Sequence, residues 1–207
     1  MESQVNNYRS ELKYIFRSSE YSLVKNQIVN YGFEKAHDYN IVNNIYFDSN
    51  LESLKDNIEG ESLRTKYRIR WYNDYNGKCI FENKSKIGNS GTKTRTSIGI
   101  KNIYDIIDIN NNIKSIININ KFKPNIQNRY FREYFVHNSI RITLDSDIKY
   151  SRYGEKNFNV SERKNIMEVK FDNHKSHDLD FLNKIIYLKL DKYSKYSNAL
   201  KLLNIFN

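Results

Sequence analysis

Several residue types are scarce in this chain of 207 residues, which has one cysteine, one proline and seven glycines. Because Cys79 has no second cysteine to pair with, an intrachain disulfide is excluded, and we expect a protein of the reducing cytoplasm. The scarcity of proline and glycine leaves little material for long flexible linkers. No run approaches the roughly 18 apolar residues of a membrane-spanning helix, so we expect no membrane span.

The chain is instead rich in basic and aromatic residues. It has 34 Lys and Arg against 24 Asp and Glu, a formal net charge of +10, and 17 Tyr with 11 Phe. This charge favours a polyanionic partner, which could be a nucleic acid, a membrane surface or a phosphate-rich small molecule. With 39% hydrophobic residues over this length, we expect one domain, 1–207, with a sizeable core.

Four short segments place charged residues at every second position: Glu11–Tyr14, Arg68–Trp71, Phe81–Lys84 and Glu168–Phe171. Successive side chains of a β-strand point to opposite faces, so each charge pair is predicted to share one face of a sheet. The cations predicted on that face are Lys13, Arg68, Arg70, Lys84, Lys93, Arg95, Arg132, Arg141 and Lys170, and the interleaved acids are Glu11, Glu82 and Glu168.

The remaining pattern predicts an antiparallel α+β protein. Two alternating runs, 63–72 and 78–86, are joined by a loop that ends in Asn76-Gly77, which is typical of a hairpin. Capping residues and helical spacing predict helices or helical turns at 18–31, 51–58, 101–120, 178–187 and 194–203.

The charged face has more than one interpretation. It could be a solvated surface with cross-strand ion pairs, each of which is worth little. However, the cations outnumber the acids, and the residues between the charges, such as Ile69 and Val169, are apolar as if packed against helices. A closed sheet lined in this way must hold an anion or water. Arginine forks suit phosphate oxygens, and carboxylates there would bind a divalent metal.

Nine segments, taken in their order along the chain, resemble the VTC domain, the polyphosphate polymerase branch of the triphosphate tunnel metalloenzymes. They are Arg9–Tyr14, Tyr46–Asp48, Lys66–Tyr72, Glu82–Lys84, Lys93–Arg95, Tyr130–Glu133, Arg141–Asp145, Glu168–Lys170 and Tyr193–Tyr196. The resemblance covers a core of about 8–203. Arg9 replaces the first acid of the E-x-E-x-K motif of the wider superfamily, as is usual in the VTC branch, which favours a polymerase-like site.

The resemblance implies an eight-stranded antiparallel β-barrel that forms a tunnel, with helices packed outside. It assigns catalytic roles on the transferring phosphate to Arg68, Arg70, Arg132, Arg141 and Lys195. It assigns phosphate binding to Lys13, Lys84, Lys93 and Ser194. Glu168 would bind Mn²⁺ or Mg²⁺, and Glu11 and Glu82 would orient neighbouring cations.

The function implied is a metal-dependent transfer of the γ-phosphate of ATP to a polyphosphate chain held in the tunnel. Hydrolysis of inorganic or nucleoside triphosphate in the same tunnel and non-catalytic polyphosphate binding are the alternatives. RNA binding through basic residues and tyrosine stacking is a further one. It is disfavoured because the predicted cations are distributed as the lining of a sheet and do not form one contiguous stripe. We therefore expect no specific nucleic-acid partner.

Overall fold

The computed structural model of the chain describes residues 9–49, 63–87, 90–172 and 188–205. Within these ranges the ten strands are β1 Arg9–Arg17, β2 Glu34–Asp48, β3 Leu63–Tyr72, β4 Lys78–Ile87, β5 Ser90–Gly99, β6 Lys123–His137, β7 Ile140–Arg152, β8 Val160–Ser161, β9 Lys164–Asp172 and β10 Lys189–Leu190. The α-helices there are α1 Tyr21–Asn30, α2 Ile106–Ile113 and α3 Lys195–Leu202. None of the helices in these ranges is long and apolar enough to cross a membrane.

The strands form one sheet in the order β10-β1-β9-β7-β6-β2-β3-β4-β5, with β8 paired to β7. The pairs whose registers are defined, such as β1 with β9 and β3 with β4, are antiparallel. The predicted α+β class is therefore confirmed. The path is open between β10 and β5 over the described residues, so the predicted closure into an eight-stranded barrel is not confirmed.

Contacts divide the chain into two compact units, and the single-domain interpretation stays a prediction. The first unit takes in Met1–Asn40, Tyr130–Ile148 and Glu162–Tyr193. In its core, Val24 and Ile28 of α1 pack with the apolar faces of β7 and β9. A short 3-10 turn, Ser18–Glu20, leads into α1. Gly32 follows the helix at φ +83°, so both ends agree with the helix predicted at 18–31.

The second unit takes in Ile41–Arg129, Lys149–Ser161 and Ser194–Asn207. Its core joins the apolar faces of β2, β3 and β4 to Ile109 and Ile113 of α2, within the segment predicted to hold short helices. Side chains of β3 alternate: Ile69 and Trp71 are buried in this core, while Arg68 and Arg70 lie on the other face.

The predicted hairpin between β3 and β4 is present, with Asn73 at φ +55° and Gly77 at φ +85° in its loop. Ser194 caps α3 as predicted, since its hydroxyl accepts a hydrogen bond from the Ser197 backbone N–H. The predicted helices at 51–58 and 178–187 lie outside the described residues.

Candidate functional site

Cross-strand register brings basic side chains into rows on one face of the second unit. Lys66 lies opposite Lys84, and Lys84 lies opposite Lys93; in the next row Arg68 and Arg95 flank Glu82. We call the following set the basic cluster: Lys66, Arg68, Arg70, Lys84, Lys93, Arg95 and Glu82. Like charges placed directly opposite one another destabilise a sheet, so this arrangement favours a bound anion.

Glu82 is the centre of the basic cluster and is 2% exposed. Its Oε2 accepts a hydrogen bond from Arg68 Nε at 2.5 Å, and its Oε1 lies 2.7 Å from Lys93 Nζ and 2.9 Å from Arg95 Nε. Arg70 Nη1 lies 3.8 Å from Oε2. Burial alone would raise the pKa of Glu82, but the neighbouring arginines and Lys93 outweigh it and hold that pKa far below its ordinary value.

A chain of amide side chains continues from Arg70 into the interior of the second unit. Arg70 Nε donates to Asn44 Oδ1 at 2.7 Å, and Asn44 Nδ2 donates to Asn128 Oδ1 at 2.7 Å. Both asparagines and Arg70 are buried. The orientation of the Arg70 guanidinium is therefore fixed from two sides, by Glu82 and by Asn44.

Helix α3 brings two further predicted residues to the second unit. Lys66 Nζ donates to Ser194 Oγ at 3.3 Å, and Lys195 is the first residue of the helix. The helix is anchored by buried Tyr196, whose hydroxyl donates a short hydrogen bond to Asp48. The N-terminal end of α3 is thereby held beside a lysine of the basic cluster.

The first unit holds the other predicted acids and cations, in a mixed cluster on β1, β6, β7 and β9. We call the following set the Glu168 cluster: Glu11, Lys13, Arg132, Asp145, Glu168 and Lys170. Register places Lys13 and Thr143 on either side of Glu168, and Glu11 and Arg141 on either side of Lys170. Arg141 is exposed.

The Glu168 carboxylate is buried and charged. Its Oε1 lies 2.6 Å from Lys170 Nζ, which is also 3.4 Å from Glu11 Oε2. Burial would raise the pKa of Glu168, but Lys170, Arg132 and Lys13 together hold it well below its ordinary value. Burial would likewise lower the pKa of Lys13, yet Glu168 and Glu11 raise it above its ordinary value. Both groups are therefore ionised at neutral pH.

Arg132 is held by Asp145 through two hydrogen bonds, Nε to Oδ1 at 2.5 Å and Nη2 to Oδ2 at 2.7 Å. Asp145 is fully buried. A bidentate pair of this kind fixes the guanidinium plane, and it occupies two of the five N–H donors of the arginine.

Glu168 could hold a divalent metal whose other ligands are waters or phosphate oxygens. Over the part of the chain that the structure describes, no three Asp, Glu, His or Cys side chains come together as metal ligands. Mg²⁺ and similar ions are commonly held by one or two carboxylates, with waters and substrate phosphates completing the shell. Glu168 can supply one such carboxylate, and the buried Thr143 hydroxyl opposite it has no hydrogen-bond partner among the described residues.

The structure distributes the predicted site residues between the two units. Glu11, Lys13, Arg132, Arg141 and Glu168 lie in the first unit; Arg68, Arg70, Glu82, Lys84, Lys93, Ser194 and Lys195 lie in the second. Their assigned roles stay predictions.

Sequence reasoning missed several residues that contact the predicted ones. Lys66 could have been found, because it continues the alternation of Arg68 and Arg70. Asn44, Asn128 and Thr143 carry no charge, and only the tertiary structure shows which residues they adjoin.

Solved structures with the same fold come from several organisms. HpAC1 of Hippeastrum, described as an adenylyl cyclase candidate with a dominant triphosphatase activity, is 16% identical to this chain at a TM-score of 0.56, over 93% of this chain and 96% of HpAC1. An adenylate cyclase candidate of Vibrio parahaemolyticus is 15% identical at a TM-score of 0.56, over 94% of this chain and 98% of the other. The PH1819 protein of Pyrococcus horikoshii OT3 is 16% identical at a TM-score of 0.54, over 94% and 99%.

At such identities these matches define the fold. The family is shown by sequence: the model of the VTC domain matches residues 8–204, so the chain belongs to the VTC domain family. The resemblance drawn from the nine segments is thereby confirmed. None of the curated proteins compared with the chain gives a significant match.

Proposed function

We propose that this chain is a metal-dependent phosphotransferase that moves the γ-phosphate of ATP onto a polyphosphate chain. In this proposal the sheet closes into the eight-stranded tunnel that the family resemblance implies, and the tunnel holds the polyphosphate. A terminal oxygen of the chain forms a bond to the γ-phosphorus, the bond from that phosphorus to the β,γ-bridging oxygen breaks, and ADP leaves.

The observation that carries the proposal is the excess of positive charge in the basic cluster. Four cationic side chains contact one buried carboxylate, and one of them, Lys93, lies in a single row with Lys84 and Lys66. A linear chain of phosphates carries negative charge at a comparable density. Phosphoryl transfer needs charge neutralisation and in-line positioning more than it needs a protein nucleophile.

The predicted residues have distinct parts in this reaction. Arg68 and Arg70, held by Glu82, stabilise charge on the transferring group, and Arg132, Arg141 and Lys195 have the same role. Lys13, Lys84, Lys93 and Ser194 bind further phosphate oxygens. Their positions on strands and at a capped helix start keep them oriented before the substrate arrives.

Glu168 is the residue that would hold Mn²⁺ or Mg²⁺. When bound, such an ion would neutralise part of the charge on the phosphate groups. Glu168 is suited to this because its carboxylate stays ionised despite burial.

Hydrolysis is the second candidate, because HpAC1, which shares the fold, is described as having a dominant triphosphatase activity. In that reaction water replaces the polyphosphate end as the attacking group. Binding of polyphosphate without turnover is the third.

One incubation separates the three candidates. The full chain is mixed with γ-labelled ATP and Mn²⁺, the products are resolved on a gel, and ADP and free phosphate are quantified. We expect label in long polyphosphate and ADP in excess of free phosphate. Equal amounts of ADP and phosphate without long chains would show hydrolysis, and absence of turnover with retained polyphosphate binding would show a binder.

Lys93 makes triphosphate binding sensitive to pH in the neutral to alkaline range. Burial, with Arg68 and Arg95 nearby, lowers its pKa to about 8, although Glu82 opposes the shift. Its positive charge is present below that pH and is lost above it. We therefore expect affinity for inorganic triphosphate to fall by about fivefold more between pH 7 and 9 in the wild type than in Lys93→Arg.

The arginine variant is the matched control, since it keeps its charge over this range and experiences the same titration of the ligand. Calorimetric titrations at pH 7, 8 and 9 measure the ratio of the two affinities. A ratio that is constant with pH would show that Lys93 does not titrate there.

A further inference from the structure

Thr143 and Glu168 lie directly opposite each other on β7 and β9. Directly opposed residues share a face and bring their Cβ atoms to within about 5.5 Å. Thr143 is 6% exposed and Glu168 is 8% exposed. The two side chains therefore form a buried cross-strand pair inside the Glu168 cluster.

The Thr143 hydroxyl makes no hydrogen bond to the described part of the chain. Its Oγ1 is buried and has no hydrogen-bond partner among the described residues. The carboxylate across from it is instead drawn to Lys170, whose Nζ lies 2.6 Å from Glu168 Oε1. A valine would fill the same space without leaving a buried polar group unpaired. The hydroxyl therefore lowers the stability of the ligand-free protein, and no hydrogen bond among the described residues compensates for this.

Lys170 is shared between two carboxylates. Its side chain is 35% exposed, it lies opposite exposed Arg141, and it contacts Glu11 as well as Glu168. An anion bound at Arg141 would attract the Lys170 ammonium. Glu168 would then lose its nearest cation, and its carboxylate would need another hydrogen-bond donor to fix its orientation.

We propose that Thr143 is a positioning residue for Glu168: once a phosphate group engages Lys170, the Thr143 hydroxyl donates a hydrogen bond to the Glu168 carboxylate and orients it for metal binding. This inference rests on the proposed function, because it requires that phosphate and metal bind in the Glu168 cluster. Carboxylates that ligate metals are commonly held by such a hydrogen bond, and loss of it typically lowers metal affinity by about 10-fold to 100-fold.

Two substitutions test the hydroxyl and the methyl group of Thr143 independently. Thr143→Val keeps the shape and removes the hydroxyl, whereas Thr143→Ser keeps the hydroxyl and removes the methyl group. Thr65→Val is the matched control: Thr65 is also a strand threonine, half-buried, but its hydroxyl is paired with Ser85 at 3.2 Å in the second unit.

The experiment measures protein-bound Mn²⁺ from the electron paramagnetic resonance signal of free Mn²⁺, without and with inorganic triphosphate, after subtraction of the ligand-only curve. The Tm of each metal-free, ligand-free protein is recorded in parallel. We expect Thr143→Val to bind Mn²⁺ about tenfold more weakly in the presence of triphosphate while its Tm is equal to or above that of the wild type. We expect Thr143→Ser to lower the Tm but to bind Mn²⁺ within about twofold of the wild type, and Thr65→Val to lower the Tm with unchanged Mn²⁺ binding.

Several results would overturn the inference. If Thr143→Val binds Mn²⁺ as tightly as the wild type, the hydroxyl does not position Glu168. If Thr143→Val unfolds or loses Tm as Thr65→Val does, the hydroxyl has a structural partner already. If the wild type itself takes up no Mn²⁺ with triphosphate, the proposed function fails and the inference fails with it. The first two results, by contrast, overturn the inference and leave the proposed function standing.

Discussion

Glu82→Gln is expected to lower the free energy of unfolding by about 3 kcal/mol and the Tm by about 6–12 °C. The substitution keeps the shape of the side chain but removes the charge that Arg68, Arg70, Lys93 and Arg95 share. Arg70 loses the most charge stabilisation, because its side chain is only 6% exposed and water cannot replace the carboxylate there. The expected value is at the low end for a broken buried pair, since Arg95 is largely solvated.

Anions should partly reverse this loss. If the basic cluster binds phosphate, inorganic triphosphate will raise the Tm of Glu82→Gln by more than that of the wild type, because its charges repel one another more strongly. Glu34→Gln, on an exposed position of β2, is the matched control and should change the Tm by little. Equal Tm values for Glu82→Gln and Glu34→Gln would contradict the central role assigned to Glu82.

The stabilisation that Glu82 provides is expected to depend on pH and to be lost in acid. The pKa of Glu82 is depressed in the folded protein, so its contribution is fully present above the unfolded value of about 4.3 and is lost as the pH falls toward the folded value. The difference in unfolding free energy between wild type and Glu82→Gln should therefore be constant near neutrality and shrink below about pH 4. Urea titrations at several pH values measure it.

Glu168→Gln is expected to lower kcat/KM for the proposed ATP-dependent reaction by about 10³-fold. A metal bound to phosphate oxygens supplies several kcal/mol of charge stabilisation in the transition state, and each 1.36 kcal/mol corresponds to a factor of ten. A neutral amide is a poorer ligand and leaves Lys170 without its partner at 2.6 Å. Product formation is measured over a range of Mn²⁺ concentrations.

Glu133→Gln provides the comparison for this variant. Glu133 is a half-buried glutamate in the same unit whose carboxylate accepts from Lys25 at 2.7 Å, and as the next residue of β6 it points to the opposite face from Arg132. We expect it to lower stability and leave kcat/KM within about threefold of the wild type. If Glu168→Gln loses no more activity than Glu133→Gln, Glu168 is not the metal ligand.

Local features of the chain were read correctly from the sequence. The predicted strand 63–72 has the bounds that the structure shows for β3, and the Asn-Gly loop forms the hairpin. Period-two alternation and turn residues act over a few positions, so neighbours along the chain are enough to recognise them. By contrast, the first half of β6, from Lys123 to Arg129, is largely polar, so it belongs to the sheet through pairing rather than through composition.

The sequence by itself determined that charged and apolar residues occupy opposite faces, that cations exceed acids, and that the segments follow the order of a VTC domain. Only the tertiary structure decided that three lysines form one row and that Glu82 contacts four cations. It also placed beside Glu168 a hydroxyl that has no hydrogen-bond partner among the described residues. The physical reason is that a side chain's face follows from its own strand, whereas its partners depend on which distant strands become neighbours and in which register.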